Sequence, residues 1–364
     1  MGQPIDKISI HGFLSIERLV HLELRPINVL IGANGAGKSN FVQLFRLIRA
    51  MADENLQGLV NKGGGADQFL FLGPNKTREI RCRLVFASAS AFYHFELNPT
   101  KTNEAVISFE MAHFTGSENP TRSHGGKRES TLKSMKDQDP IWKVAYDAIS
   151  SWVVYHFHDA NEYAPMRREE SVEDHAYLRE NASNIAPYLH RLRDEHPTAY
   201  AEIRDTIRLA APFFDDFRFV VRERGLDQKL RLEWKQRGTD YPFQPWHLSD
   251  GTIRFICLAT ALLQPELPST LIIDEPELGL HPQALSVLAG LIRKASKRTQ
   301  VIVSTQSVTL LNEFEPQDVV VVTRKNGASH FERLDPSSLA SWLDEYSLGT
   351  LWEKNFIEAG ATHE

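Results

Sequence analysis

One stretch constrains this chain more than any other. Ile27-Asn-Val-Leu-Ile31 is an apolar run of the kind a buried strand carries, and Gly32-Ala-Asn-Gly-Ala-Gly-Lys38-Ser39 follows it at once. From Ser39 onward, Phe41, Leu44, Phe45 and Ile48 fall on one face at helical spacing. The middle segment satisfies G-x-x-x-x-G-K-[ST] at every fixed position and stands between the strand and the helix that this pattern requires. Its glycines let the backbone curl until successive N–H groups point inward, with the positive end of a helix behind them, an arrangement suited to phosphate oxygens. Lys38 adds a mobile positive charge for the β- and γ-phosphates, and the Ser39 hydroxyl suits Mg²⁺. The nucleotide-contacting set read here is Gly32, Asn34, Gly35, Ala36, Gly37, Lys38, Ser39 and Asn40. A glycine-rich turn without a ligand is the plainer alternative; the complete match and both flanks speak against it.

A second apolar run, Leu271-Ile-Ile-Asp274-Glu275, ends in two acids. Carboxylates at the edge of a buried strand are costly unless a metal or another partner meets them. Mg²⁺ is that partner for Asp274 on this reading, and Glu275 orients or deprotonates the water that attacks the γ-phosphate of ATP. Alone, such an ending is as compatible with a surface turn; beside a phosphate loop it points to chemistry.

The remaining chain is organised around these two motifs. In 364 residues, 42% hydrophobic and 24% charged, there is enough apolar material for a sizeable core, and the net charge of −6 excludes a uniformly basic surface while permitting a local basic patch. The N-terminus lacks a basic stretch followed by an apolar one, and no run is long enough to span a membrane, so a cytoplasmic protein is expected. Cys82 and Cys257 lie far apart in apolar segments and read as buried thiols. Alternating strands and helices through the final third imply a mostly parallel sheet. The nucleotide-binding core is expected in two pieces, 1–60 and 245–364, around an insert spanning 61–244. Within that insert we expect a β-rich segment at 76–114, a flexible polar loop at 115–139 and a helical segment at 173–211. The loop, lacking a core-facing pattern, is expected to be dispensable for folding and for ATP binding.

Leu248-Ser249-Asp250-Gly251-Thr252 ahead of a helix, followed by LIIDEPELGLHP and VIVSTQS, resembles the signature, acidic-strand and switch segments of ABC-type ATPases. More narrowly, the chain resembles the soluble "predicted ATPase" group of the AAA family, in the RecF-like and structural-maintenance-of-chromosomes branch. The likeness covers roughly 1–50 and 245–325, and YHFHD, APFFDDF and YSLGTLWEKN fit the same group. It implies an α/β P-loop NTPase with an ABC-type ATPase head, joined by an antiparallel β subdomain and a helical insert. It also implies that Ser249 and Gly251 of one subunit cover the ATP held by another, so that ATP closes a homodimer along the segment Pro276 to His281. Gln306 occupies the switch position where histidine is common, and an amide cannot carry an imidazolium charge, which implies slow turnover. Gln68, after the break at Gly63-Gly64-Gly65, is the candidate for the metal-contacting loop glutamine; a lone loop glutamine is otherwise simply solvated.

Three functions follow. The leading one is an ATP-driven dimeric switch acting on DNA or a partner protein. The second is the ATPase subunit of a bacterial nuclease or phage-defence complex, with any Toprim-type nuclease expected as a separate protein. A transporter subunit is disfavoured by LSDGT in place of LSGGQ and by the long insert. Weaker signals are His156-Phe-His158-Asp159, which shares a strand face but lacks a second ligand cluster, and the basic residues Arg122, Lys127, Arg128, Lys133 and Lys136, which suit either a solvated loop or DNA. The pairs Arg167-Arg168 and Arg191/Arg193 stand beside acids and stay open. Replacing Lys38 with alanine is expected to abolish nucleotide binding, read as loss of the titration heat in calorimetry with ATP.

Overall fold

The computed structural model describes residues 2–116, 121–123, 125–224 and 227–357. The chain opens with β1 (Ile5–Phe13), β2 (Ile16–Glu23), β3 (Ile27–Ile31), α1 (Lys38–Ala52) and α2 (Leu56–Lys62). Next come β4 (Ile80–Phe86), β5 (Ala91–Pro99), β6 (Ala105–Phe114), β7 (Thr121–Ser123), α3 (Leu132–Met135), α4 (Pro140–Ser150) and β8 (Val153–Tyr155). The middle holds β9 (Glu170–Ser171), α5 (Ile185–Glu195), α6 (Pro197–Ala210), β10 (Phe214–Arg224), β11 (Asp227–Gln236) and β12 (Pro242–Phe243). There follow α7 (Asp250–Leu263), β13 (Thr270–Asp274), α8 (Pro282–Ala295), β14 (Gln300–Thr305) and α9 (Val308–Leu311). The chain closes with β15 (Val319–Lys325), β16 (Ala328–Arg333), α10 (Pro336–Leu343) and α11 (Leu348–Glu353). These elements gather into two compact units, one from Met1–Val154, Pro268–Ile272 and Thr299–Glu364, the other from Tyr155–Leu267 and Ile273–Arg298.

In the first unit, β3 is buried at every position, and it pairs in parallel with β14 through Ile31↔Thr305 and with β15 through Ile31↔Val321. A strand with no solvent-facing side can be apolar throughout, which is why it shows no alternation. The antiparallel β16 follows on β15, within a six-stranded sheet ordered β16-β15-β3-β14-β13-β8. A second sheet, ordered β2-β1-β4-β5-β6-β7, is antiparallel throughout and alternates buried with partly exposed residues along β4 and β5, as a sheet with one wet face does. Helix α1 packs its apolar stripe through Phe41 on Phe331 and Phe45 on Trp152, ring centroids 5.2 Å apart in each pair. Gln300, the first residue of β14, ties to the start of β1: its side-chain amide donates to the Ile5 carbonyl at 2.8 Å and its oxygen accepts from the Ile5 N–H at 3.3 Å.

The second unit carries the antiparallel pair β10 and β11, with β9 and β12 on β11. Helices α5 and α6 fall within the segment 173–211, whose first residues, 173–184, carry no helix. Trp234 stacks between Phe214 and Phe243 at centroid distances of 6.3 and 4.7 Å. Helix α7 is buried from Ile253 to Leu263 on every face, which marks it as the helix at the centre of this unit.

Part of the segment expected to be a flexible loop is ordered and packed in the first unit. Residues 117–120 and 124 lie outside the described residues, but 125–139 are anchored by the polar side chains that made the segment look solvated. Glu110, 1% exposed, accepts from Tyr93 Oη at 2.6 Å, from the Thr131 N–H at 3.0 Å and from Thr131 Oγ1 at 2.7 Å, and it also takes the Ser130 hydroxyl. A buried carboxylate demands such a ring of donors. The Glu129 carboxylate in turn accepts the N–H groups of Leu56 and Gln57, at 2.8 and 3.0 Å, at the open start of α2. Arg128 pairs with Glu104, Lys133 with Glu54, and Lys136 lies over the Tyr146 ring, so these cations are engaged within the unit. Replacing Glu129 with alanine is expected to cost about 1 kcal/mol, the worth of a helix cap. Deleting 125–139 should cost several times more, because it strands Glu110. Chemical-denaturation midpoints measure both.

Candidate active site

The phosphate loop lies wholly in the first unit and is shaped by crowding from behind. A methyl carbon at Gly32 would lie 2.2 Å from the Val322 carbonyl oxygen, and one at Gly37 would lie 2.0 Å from Ser329 Oγ. Gly37 also has φ of 115°, which only glycine adopts without strain, and it forms the N-cap of α1 with no side-chain cap and no acid in the first turn. With no side-chain cap and no acid at its start, α1 directs the positive end of its dipole toward the loop. Lys38 is 5% exposed, and its Nζ donates to the carbonyls of Gly32 at 2.5 Å and Ala33 at 3.2 Å. Asn34, Gly35 and Ser39 are exposed, whereas Ala36 is buried.

Three further residues brace this loop. The Ser329 hydroxyl reaches the Ala36 carbonyl at 2.5 Å and the Ser15 hydroxyl at 2.7 Å, and the Asn40 amide donates to Ser15 Oγ at 2.6 Å. Arg324 Nη1 donates to the Gly35 carbonyl at 3.0 Å. Asn40, read above as a nucleotide contact, thus turns its amide toward this brace. Gln306 follows β14, whose last residue Thr305 pairs with Ile31, so the switch position stands beside the start of the loop and is exposed. Gln68 is exposed on a short 3₁₀ turn, Ala66–Phe69, that is tied to β1 where the Leu14 N–H donates to the Phe69 carbonyl at 2.8 Å.

The second unit holds the acids and the segment Leu248–Thr252 that resembles a signature. Asp274 ends β13 and Glu275 follows with φ of 45°. That left-handed conformation costs a non-glycine residue about 1–3 kcal/mol and persists only where surroundings enforce it, here with Pro276 next in sequence. His158 Nε2 donates to the Asp274 carbonyl at 2.9 Å. That segment begins α7: Ser249 is the N-cap, accepting the Thr252 N–H at 3.1 Å. Gly251 has no room for a side chain, since a methyl carbon there would stand 2.0 Å from the Gly279 carbonyl oxygen. The signature and the turn after Glu275 are therefore in direct backbone contact, and Ser249, Asp250, Leu278, Gly279 and His281 are all exposed.

Two buried arginines hold this arrangement. Arg167 donates to the carbonyls of Ala160 at 3.0 Å and Leu248 at 3.1 Å, and to Asp250 Oδ1 at 2.8 Å. Arg254, on α7 itself, donates to the Phe157 carbonyl at 2.7 Å, the His158 carbonyl at 3.0 Å and the Leu278 carbonyl. Its burial lowers the guanidinium pKa from the ordinary value. Burial likewise pushes the thiols of Cys82 and Cys257 up. Among the described residues no three His, Cys, Asp or Glu side chains cluster as a metal site, and the YHFHD segment turns to backbone contacts.

Residues 27–312 match the family described as "AAA domain, putative AbiEii toxin, Type IV TA system". The chain belongs to this family. It is an ATPase, with the α/β P-loop fold of an ABC-type head. The Smc head bound to the C-winged helix domain of ScpA is similar in fold, with a TM-score of 0.63 at 14% identity, over 93% of this chain and 99% of that one. The Smc head domain of Pyrococcus furiosus bound to the C-terminal domain of ScpA gives 0.54 at 15% identity, over 94% and 99%. The Smc head of Pyrococcus yayanosii gives 0.54 at 12%, over 94% and 99%. No curated protein sequence matches.

The nucleotide cradle of this AAA-family chain fits polyphosphate: an uncapped helix start, a buried ammonium in the loop and glycines where a side chain would intrude. Sequence reasoning missed Ser15, Ser329 and Arg324, whose only signal is their fold-dependent position 314 residues apart in the case of Ser15 and Ser329. Removing the Ser329 hydroxyl as Ser329→Ala deletes one hydrogen bond to the loop, and ATP affinity should weaken about fivefold, the equivalent of about 1 kcal/mol. Titration calorimetry on the alanine variant reads it.

Proposed function

We propose that the protein is an ATP-gated switch. ATP held by residues 32–40 closes a homodimer in which Ser249 and Gly251 of each protomer cover the nucleotide of the other, and hydrolysis reopens it. The observation that carries this reading is the start of α7: Ser249 and Asp250 stand exposed at a helix N-terminus, locked through Gly251 to the exposed turn at Gly279. A rigid, wet, anion-seeking edge of this kind suits a surface that meets a second subunit's phosphates. The nucleotide-binding core comprises 1–60 and 245–364, and the insert 61–244 engages DNA or a partner protein.

The residues divide the work. Glu275 orients the attacking water and accepts its proton, and its carboxylate is aimed by an enforced backbone. Gln306 contacts the γ-phosphate through its amide, which adds a hydrogen bond but no charge, and turnover is slow. Asp274, Ser39 and Gln68 supply hard oxygen donors of the type Mg²⁺ takes. Mg²⁺, when bound, neutralises charge on the phosphates. Among the described residues no helix is long and apolar enough to cross a membrane, and we place the protein in the cytoplasm.

A second reading is the ATPase subunit of a phage-defence complex with a separate nuclease, favoured by a family description that names a toxin. The Smc heads are described in complex with ScpA, which favours a protein partner here as well.

Glu275→Gln keeps the shape of the acid and removes its basicity, so ATP should bind normally while hydrolysis stalls and the closed dimer accumulates. Adding Ser249→Arg should keep the protein monomeric through steric and charge conflict. Size-exclusion with light scattering, in ATP and Mg²⁺, decides between them: a monomeric Glu275→Gln protein with ATP bound sinks the trans arrangement.

A further inference from the structure

Glu275 sits in a backbone conformation that its own chemistry resists, with φ of 45° and a proline after it. Such a turn holds only if the peptides on both sides are gripped. On its N-terminal side the grip is His158, whose Nε2 donates to the Asp274 carbonyl at 2.9 Å. A carbonyl can only accept, so Nε2 carries the proton. On its C-terminal side the Glu275 carbonyl accepts the Leu278 N–H at 3.4 Å, and Arg254 donates to the carbonyl of that same Leu278. Both grips converge on one side chain, because Arg254 also takes the carbonyls of Phe157 at 2.7 Å and of His158 itself at 3.0 Å. Arg254 lies on α7 five residues beyond the signature Ser249, and the first turn of the same helix abuts Gly279 through Gly251.

The geometry points to His158 and Arg254 as positioning residues for hydrolysis: a relay that runs from α7 to the Asp274–Glu275 peptide on one side and to Leu278, which closes the turn, on the other, and holds the acid in its left-handed conformation. Neither touches the nucleotide. The relay makes the rate of hydrolysis depend on the seating of α7, so that contact at the signature is reported to the acid in the same subunit through two hydrogen-bonded arms. This rests on the reading of Glu275 as the residue that activates water.

The test is single-turnover ATP hydrolysis with enzyme in excess, alongside ATP affinity and thermal melting. His158→Phe keeps a ring and loses the donor; the rate should fall about 10- to 100-fold, as misplacement of a catalytic group does, with affinity and melting unchanged because the ring is exposed. His158→Gln returns an N–H at similar reach and should restore most of the rate. Arg254→Lys should slow hydrolysis too, and the double variant with His158→Phe should be no slower than the more damaged single one, since both act on one unit. A wild-type rate in His158→Phe, or no rescue by glutamine, overturns the relay, as does full additivity with Arg254→Lys. Glu275→Gln, run beside them, separates the two levels: if it hydrolyses ATP normally, the acid assignment has failed; if it stalls while His158→Phe does not slow, only the relay has.

Discussion

The structure of the first unit depends on close backbone approach at the end of β3. Gly32 lets the Val322 carbonyl of the neighbouring strand come within a distance no side chain would tolerate, and Gly37 admits Ser329 in the same way. Those two contacts let β15 and β16 close over the loop, so that Ser329 can hold the Ala36 carbonyl and Ser15 can take Asn40. A curl of inward N–H groups has no intrinsic stability, because each resists being turned from its own helix or strand partners. It survives because its carbonyls are held from outside by Ser329 and Arg324 and from inside by Lys38. Any side chain at 32 or 37 would push the bracing strands away before it met the nucleotide.

The second unit solves a related problem with buried cations. Arg167 and Arg254 are 6% and 7% exposed. Removing a guanidinium from water is costly unless its donors are met, and both meet several backbone carbonyls. An apolar side chain of equal volume would pack as well, but it could not fix which carbonyl lies where. The guanidinium fork can, being planar with donors in set directions. The carbonyls it fixes at Phe157, His158, Ala160, Leu248 and Leu278 belong to irregular segments, which lack a ladder or helix of their own to define them.

What was legible in the sequence was local. The run at 27–31, the glycines after it and the helical stripe of α1 are contiguous, and physics acting on neighbours placed them. The placing of Asp274 at the end of a buried strand, with Glu275 next, was legible for the same reason. Arg167 remained ambiguous beside Glu169 and Glu170 because its partner, Asp250, is 83 residues away. The segment at 115–139 misled for a more instructive reason. Polarity was read as solvation, but Glu129, Ser130 and Thr131 are polar because they serve buried donors and acceptors, and composition does not distinguish the two uses. The left-handed backbone at Glu275 had no signal at all, since an acid before proline is ordinarily extended.

The departure at the third signature position follows from the same cation. Asp250 stands where the transporter pattern has glycine, at a helix start that in the switch reading faces a partner's phosphates, and an unbalanced carboxylate there would repel them. Its pairing with Arg167 is largely exposed on the acid's side, 62% against 3% for the arginine, so screening leaves it little weight in stability. The arginine's hold on the Leu248 carbonyl and its neighbours secures the fold whether or not the acid is present. What the pairing changes is the charge presented at the edge: Arg167 lies beneath the signature and offsets Asp250, leaving the helix dipole and the Ser249 hydroxyl to set the local field. On the switch reading, an acidic residue suits this helix start because a buried, carbonyl-anchored arginine lies directly behind it.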